Sequence, residues 1–567
     1  MSKTVKLLFL VSAWLLLAGC GGGSGGSSGS AGVTVTPSGI QVLAGASQQM
    51  TATAADGGMA FTWQVNGITS GNSTIGTVSQ SGLYTAPDLP PPGGKVTIMA
   101  IEQSNTSQSG TATLSIGYSD ASLKGAYVFS MGGLSSGTPW NAIGEFSANG
   151  AGQISNGLQD INNGSSAQTK MPFNGTYNIS PNGFGTITLG GINTQFVLLS
   201  GSDANFISTD NQTIASGNFA PQSQTAGSVS TLSGPYIFSL GSANSVNQPF
   251  AELGRFIASN GSLTNSTVDI NGPNPLVNAS LTGSYTFDGS NNHGTLTLIY
   301  NTNSYTYSFY VQDATDLIVL SSDSSLPISG SISAQQAMAF NNASFIGSYV
   351  LFAGGASPTQ GFVQAGQFNP NGQGNLGNIT EDINTPGDVV NITPPGTYAL
   401  DAAGTGRGTL TINNQGQNAP QTYVFYMSSP TQAQIMTMNS SIVAAGFITS
   451  QPQGTAFSNS SLHAHYGFAL ISQASPTSLL LGLGILSADG QGNLTGNLIE
   501  NLNGSVSNLL SLSGTYMLNS SVRGTATLIS NGGGSSPFAI YPITPDGFVM
   551  IGTNASSPYL GLAIIQY

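Results

Sequence analysis

The side chains best placed to do chemistry recur in one short element. It reads Asp160-Ile-Asn162, Asp269-Ile-Asn271, Asp382-Ile-Asn384 and, in altered form, Glu500-Asn-Leu-Asn503. A carboxylate two residues from an amide offers oxygens to a hard cation such as calcium, and Asn163-Gly164 follows the first copy. The further ligands and the closing Glu of a complete calcium loop are missing. The same residues read equally as Asx-turns, in which side-chain oxygens accept backbone N–H groups without any ligand. His463 and His465 alternate and so share a strand face, as a chelating pair would. His293, the remaining histidine, sits at a turn in another repeat, so no metal site and no cofactor is expected. Glu381 and Asp382 are adjacent and point to opposite faces of a strand, which is wrong for a paired acid and base. No Gly-x-Ser-x-Gly elbow and no phosphate loop occurs. No catalytic residue is assigned, and the chain reads as a non-enzyme.

Composition limits what surrounds these elements. The 567 residues are 39% hydrophobic, enough for packed cores. Only 5% are charged, against about 25% in ordinary soluble domains. Ser, Thr, Asn, Gln and Gly must therefore cover the surface. The 77 Gly and 27 Pro suit many turns and short strands, and no long stretch carries a helical period. The formal charge is −13, with 8 basic against 21 acidic residues. Nucleic-acid binding needs cations to displace phosphate counterions, so that partner class is excluded.

Residues 1–19 read as a secretory leader, with Lys3 and Lys6 before an apolar run from Leu7 to Leu17. The run is too short for a comfortable membrane span. It ends in Leu17-Ala18-Gly19-Cys20, and Cys20 is the single cysteine of the chain. This stretch resembles the lipobox of bacterial lipoproteins. The resemblance implies cleavage before Cys20, lipidation of Cys20, and attachment of the protein to a membrane through that anchor. Gly21 after the cysteine, in place of Asp, favours the outer membrane of a bacterial envelope; the leaflet face is left open. Residues 20–32 are nearly all Gly and Ser, a flexible tether reaching about 20 Å.

Residues 33–118 read as a small sandwich of short strands, with Trp63 pointing the same way as Phe61 and Val65 into a core. The prolines from Pro87 to Pro92 suggest an exposed loop. The pieces Val33-Thr-Val-Thr-Pro37, Thr62-Trp63-Gln-Val-Asn66-Gly67, Gly82-Leu-Tyr84-Thr-Ala86-Pro87 and Ser109-Gly110-Thr-Ala-Thr113 occur in that order. They resemble the bacterial Ig-like domains of surface proteins, and the resemblance implies a spacer or adhesive module without catalytic residues.

The rest of the chain is four copies of one unit. Each opens on a strand of the type Leu123-Lys-Gly125-Ala-Tyr127-Val-Phe129, repeated from Leu232, Phe345 and Leu462 at spacings of 109, 113 and 117. Its alternate residues fall on one face. A second Gly-x-Tyr follows at Tyr177, Tyr285, Tyr398 and Tyr516. Between them come Gly144-Glu-Phe146 and its counterparts, then turns such as Asn149-Gly-Ala-Gly152 that match tight hairpins. After the second Tyr comes Gly185-Thr-Ile-Thr-Leu189 and its copies, and each unit closes on a phrase like Gly217-Asn-Phe-Ala-Pro-Gln222. About eight or nine strands joined by short turns favour an antiparallel meander, closed to remove its edges. The opening strand is also similar to the Gly-x-Trp first strand of lipocalin-like barrels.

The expected fold is therefore all-β: an Ig-like sandwich, then four repeated antiparallel domains over 119–225, 226–338, 339–454 and 455–567. These are read as small up-and-down barrels, separate on a string. An eight-bladed propeller and an array of sandwiches are the alternatives. The expected function is that of a lipid-anchored envelope protein presenting repeated β-domains for adhesion, with a glycan, matrix component or surface protein as partner. The alternative is a carrier of small apolar ligands inside barrel cavities.

Overall fold

The computed structural model describes residues 32–566 apart from 224–226, 243–248, 290–291, 358–359, 386–387, 414–419, 439–440, 476–477, 519–522 and 556–557. The leader, Cys20 and the tether up to residue 31 lie outside the described residues. Among the described residues the chain is strand throughout, with short 3-10 turns and no α-helix.

The first domain comprises three small sheets around one core. Val33–Thr36 pairs with Thr51–Ala54, and a five-stranded sheet runs Ile40–Leu43, Ser109–Gly117, Lys95–Glu102, Phe61–Val65, Ile68–Thr69. A four-stranded sheet starts from Ser47–Gln49. Val35, Met50, Trp63, Val65, Tyr84, Ile98 and Leu114 meet between them. The proline loop departs from expectation: Pro87, Pro90 and Pro91 are buried. The reason is docking, since neighbouring Leu89 packs on the core of the first barrel, and Tyr118 N–H donates to the carbonyl of Pro181 there.

Each repeat is a closed eight-stranded antiparallel barrel. In barrel 1 the strands run from Lys124–Ser135 to Thr213–Pro221, and first and last strands pair from Tyr127↔Pro221 to Ser135↔Thr213. Barrel 2 closes Gly234–Ser242 on Ser329–Ala334. Barrel 3 closes Tyr349–Ala356 on Val443–Ser450, and barrel 4 closes His465–Ser475 on Tyr559–Ile565. In barrels 3 and 4 a short extra strand, Asp388–Ile392 or Ser505–Val506, precedes the fourth staves Gly396–Leu400 and Leu510–Met517.

The repeated motifs explain themselves inside the barrels. A Cβ at Gly144 would lie 2.5 Å from the ring of Phe129, and one at Gly254 or Gly484 would lie 2.4 Å from Phe238 or Phe468. Glycine is thus the seat of the neighbouring aromatic ring. Gly185, Gly294 and Gly408 seat Phe196, Phe309 and Phe425 in the same way. The second tyrosine is a latch: Tyr177 Oη donates to Leu123 O at 2.7 Å, Tyr285 to Leu232 O at 2.9 Å, Tyr398 to Phe345 O at 3.0 Å and Tyr516 to Leu462 O at 2.8 Å. Each latch ties the fourth strand to the turn that opens its own barrel. Aromatic and aliphatic side chains fill all four interiors.

The barrels are not separate on a string. The first three strands of each pack against the sixth to eighth strands of the next, and barrel 4 packs in the same sense on barrel 1. A head-to-tail contact that closes after four units makes a ring. Outward residues of the opening strands are therefore buried as well. Val128 and Ile143 meet Tyr310 and Leu320 of barrel 2. Ile237 and Leu253 meet Val424 and Met436 of barrel 3. Val350 and Ala365 meet Val549 and Ile551 of barrel 4, and Leu481 and Leu483 meet Val197 and Ile207 of barrel 1. Alternation along a strand identifies the inward face; it does not reveal that the other face is covered too.

Candidate functional site

The three Asp-Ile-Asn elements lie on the outward face of the third strand and sit in the junctions between barrels. Asp160 is 1% exposed. Its Oδ1 accepts the Lys170 backbone N–H at 2.7 Å and the Tyr310 hydroxyl at 3.1 Å. Its Oδ2 is 2.9 Å from Nε2 of His293. Asp269, fully buried, takes Nε and Nη2 of Arg407 at 2.8 and 2.7 Å, the Tyr426 hydroxyl at 2.8 Å and the Asn278 N–H at 2.8 Å. Asp382 takes Nε and Nη2 of Arg523 at 2.6 and 2.9 Å and the hydroxyl of Tyr541. In each case the cation and the tyrosine belong to the next barrel. These contacts use the oxygens that a calcium ion would need.

The asparagine of the element is a second hook. Asn162 Nδ2 donates to Ser321 O at 2.9 Å, Asn271 to Thr437 O at 2.6 Å and Asn384 to Gly552 O at 2.6 Å. Asn162 Oδ1 also accepts the Gly164 N–H, the Asx-turn geometry. At the closing junction the matching hook is Asn501, which reaches Ser208 O of barrel 1 at 2.8 Å. Asn501 therefore corresponds to Asn162, and Ile499 stands where the other copies carry Asp. Reading the fourth copy as Glu500 through Asn503 misplaces the acid by one residue and the amide by two. A third hook recurs at the last strand: Gln222, Gln335, Gln451 and Gln566 donate to Val311, Met427, Pro542 and Leu198 carbonyls of the following barrel at 2.6–2.7 Å.

The closing junction is built from different chemistry. Where barrels 2, 3 and 4 present His293, Arg407 and Arg523 before a Gly-Thr pair, barrel 1 presents Phe184. Where they present Tyr310, Tyr426 and Tyr541, barrel 1 presents Val197. Ile499, Phe184 and Val197 pack in one apolar cluster. An acid, a cation and a tyrosine have been exchanged together for three apolar residues.

Ionisable groups inside the barrels behave differently from those between them. Glu381 faces inward and Asp382 outward, as adjacent strand residues must. Burial, with the nearby charge of Asp382, pushes Glu381 up to about 8. Burial pushes Glu252 up to about 7, against hydroxyl donation from Tyr307 and Tyr300 at 3.2 and 3.3 Å. Both acids hold protons well above the usual carboxylate range. His465 bonds Ser487, and among the described residues no three of His, Cys, Asp and Glu gather as a metal would require.

Sequence reasoning missed His293, Arg407, Arg523, their tyrosines, Asn501 and the glutamine hooks. One signal was available. Arginine and histidine are scarce, and two arginines and a histidine occupy one position of the repeat.

No protein-family model and no curated protein matches the chain. Among solved structures it is similar to a double mutant of the vaccine antigen transferrin binding protein B from Haemophilus parasuis Hp5, at 9% identity and TM-score 0.16, covering 78% of this chain and 94% of that one. It is also similar to intact Ap-TbpB with its N and C lobes, at 8% identity and TM-score 0.17 over 78% and 95% of the two chains. The isotype 1 protein from serogroup B Neisseria meningitidis gives 11% identity and TM-score 0.17 over 68% and 84%. At TM-scores this low the likeness carries nothing over to this chain.

Proposed function

We propose that the protein is a lipid-anchored, non-enzymatic envelope component. In this reading Cys20 holds it to the membrane, the Gly/Ser tether and Ig-like domain act as a stalk, and the four-barrel ring contacts an uncharged partner, a neutral glycan or matrix component. One observation carries the reading. The fourth and fifth strands of every barrel, beyond the stretches that supply junction residues such as Lys170, His293 and Arg407, turn a hydroxyl patch outward. Ser284 pairs with Thr297, Thr397 with Thr411 and Thr515 with Thr527, beside Asn178 and Thr186 in barrel 1. Ser284, Thr397, Thr515 and Thr186 are exposed. In barrels 2, 3 and 4 these pairs are the x of Gly-x-Tyr and the second threonine of Gly-Thr-x-Thr, so there the repeat that builds the core also builds the patch. Four weak contacts held on one rigid body gain by avidity. The carrier alternative needs room inside the barrels, which the protein's own rings occupy.

The test is a glycan and matrix-component array probed with the intact protein. Binding to neutral glycans or matrix is expected. Ser284→Glu with Thr515→Glu should then weaken it by about tenfold or more, because two of four contacts are lost. An intact protein that binds no glycan, matrix component or cell surface refutes the proposal. A bound apolar molecule in native mass spectrometry would favour the carrier.

A further inference from the structure

The three polar junctions are not equivalent. At two of them the cation is arginine, charged at every accessible pH. At the junction between barrels 1 and 2 it is His293, which is 3% exposed and bridges two carboxylates. Its Nε2 lies 2.9 Å from Asp160 Oδ2 and its Nδ1 lies 2.6 Å from Asp288 Oδ2. Carboxylates only accept, so both contacts are hydrogen bonds only when both ring nitrogens carry a proton. A neutral imidazole has one N–H and must leave one carboxylate facing a lone pair.

We propose that the junction between barrels 1 and 2 is a pH-responsive clasp, closed while His293 is doubly protonated and loosened when it gives up a proton, whereas the two arginine junctions do not respond. The groups facing His293 come from every element around it. They are Asp160 on the third strand of barrel 1, Glu145 on its second strand, Asp288 in the turn before His293, and Tyr310 on the neighbouring strand, whose ring centroid lies 4.9 Å away. Lys170, from the fourth strand of barrel 1, completes the set by pairing with Asp288 at 2.9 Å. Burial works to lower the affinity of His293 for its proton. The bonds and charges of Asp160 and Asp288 outweigh it and hold the imidazole above its ordinary value. The clasp is thus closed below the ordinary imidazole value and opens as pH rises through the raised one.

The position of the clasp gives it a consequence. Barrel 1 is flanked by the histidine junction on one side and the apolar Ile499, Phe184 and Val197 junction on the other. Barrels 2, 3 and 4 are joined by the two arginine pairs. Barrel 1 carries the first domain, so the element that uncouples on deprotonation is the one joined to the stalk.

The experiment uses the full chain. The histidine ring carbons are labelled, and hydrogen exchange of the Lys170 amide, whose N–H is held by Asp160, is followed from pH 6 to pH 9.5 after correction for intrinsic exchange. The expected result is an imidazole that titrates above 6.5 and an opening equilibrium that rises by up to about tenfold per pH unit between 6.5 and that titration and then levels off, the signature of one linked proton. In His293→Arg, which copies the other junctions, the slope should vanish. In His293→Gln, which donates one bond at any pH, the amide should be open throughout, again without a slope. An imidazole titrating at or below the ordinary value overturns the proposal. So does a slope that survives in either variant.

Discussion

The exchange of three residues at the closing junction can be transplanted, and the outcome is calculable. Arg407→Phe removes the cation paired with Asp269, leaving a fully buried carboxylate with the Tyr426 hydroxyl and the Asn278 amide. Breaking a buried pair by deleting one partner costs about 3–5 kcal/mol, because the remaining charge stays desolvated. Asp269→Ile, Arg407→Phe and Tyr426→Val together copy Ile499, Phe184 and Val197. The triple variant strands no charge. It loses the acceptor for the Asn278 N–H, worth about 1–3 kcal/mol, and gains apolar contact. It should therefore be more stable than the single variant, although it removes more of the native contacts. Four barrels need not unfold in one step, so the readout is hydrogen exchange at stepped urea on peptides from Phe250–Ser259 and Arg407–Ile412. A triple variant destabilised by the full sum of its single substitutions would refute the idea that the two junction types are interchangeable wholes. A single variant with an unchanged midpoint would show that Asp269 is not held by the pair.

Three further outcomes are expected. Asn501→Ala leaves the Ser208 carbonyl without its donor and should cost about 1–3 kcal/mol, with loosened exchange confined to Asn493–Leu502 and Ala204–Ser208. Glu381 binds its proton more tightly in the folded barrel, near 8, than at its ordinary value of 4.5. The native state then holds more protons between those values, so barrel 3 should lose stability as pH rises from about 4.5 to about 8; Glu381→Gln should flatten that part of the urea-midpoint profile. Tyr236, 2% exposed inside barrel 2, should not tolerate Tyr236→Asp, which places an unpaired charge in the core; an unchanged melting profile would mean the inward face has been misassigned.

What the sequence revealed follows from which forces act locally. Tyr127 and Phe129 share a face because strands alternate, and Asn149 announces a turn because its Oδ1 accepts the amides of Ala151 and Gln153. Strand number and closure follow from such local rules. The junctions do not. Asp160 and His293 are 133 positions apart, and no periodicity links them. The calcium and Asx-turn readings of Asp160 both looked for partners nearby in the chain, while its decisive partners lie one repeat away. The fourth copy was hidden for a related reason: Ile499 matches Asp160 only once its partners Phe184 and Val197 are seen to have changed with it. The buried prolines before Pro92 were misjudged because a missing N–H says nothing about what covers the ring.

The head-to-tail contact has a consequence for copy number. An open array gains or loses a unit at either end at the cost of one interface, so its length can drift. Here each barrel packs on the next and the fourth meets the first. Three units would leave the interface of Leu481 and Val197 unmade, and a fifth would have no place to sit. A change of copy number would leave apolar faces such as that of Leu481 and Leu483 without the surface that covers them here.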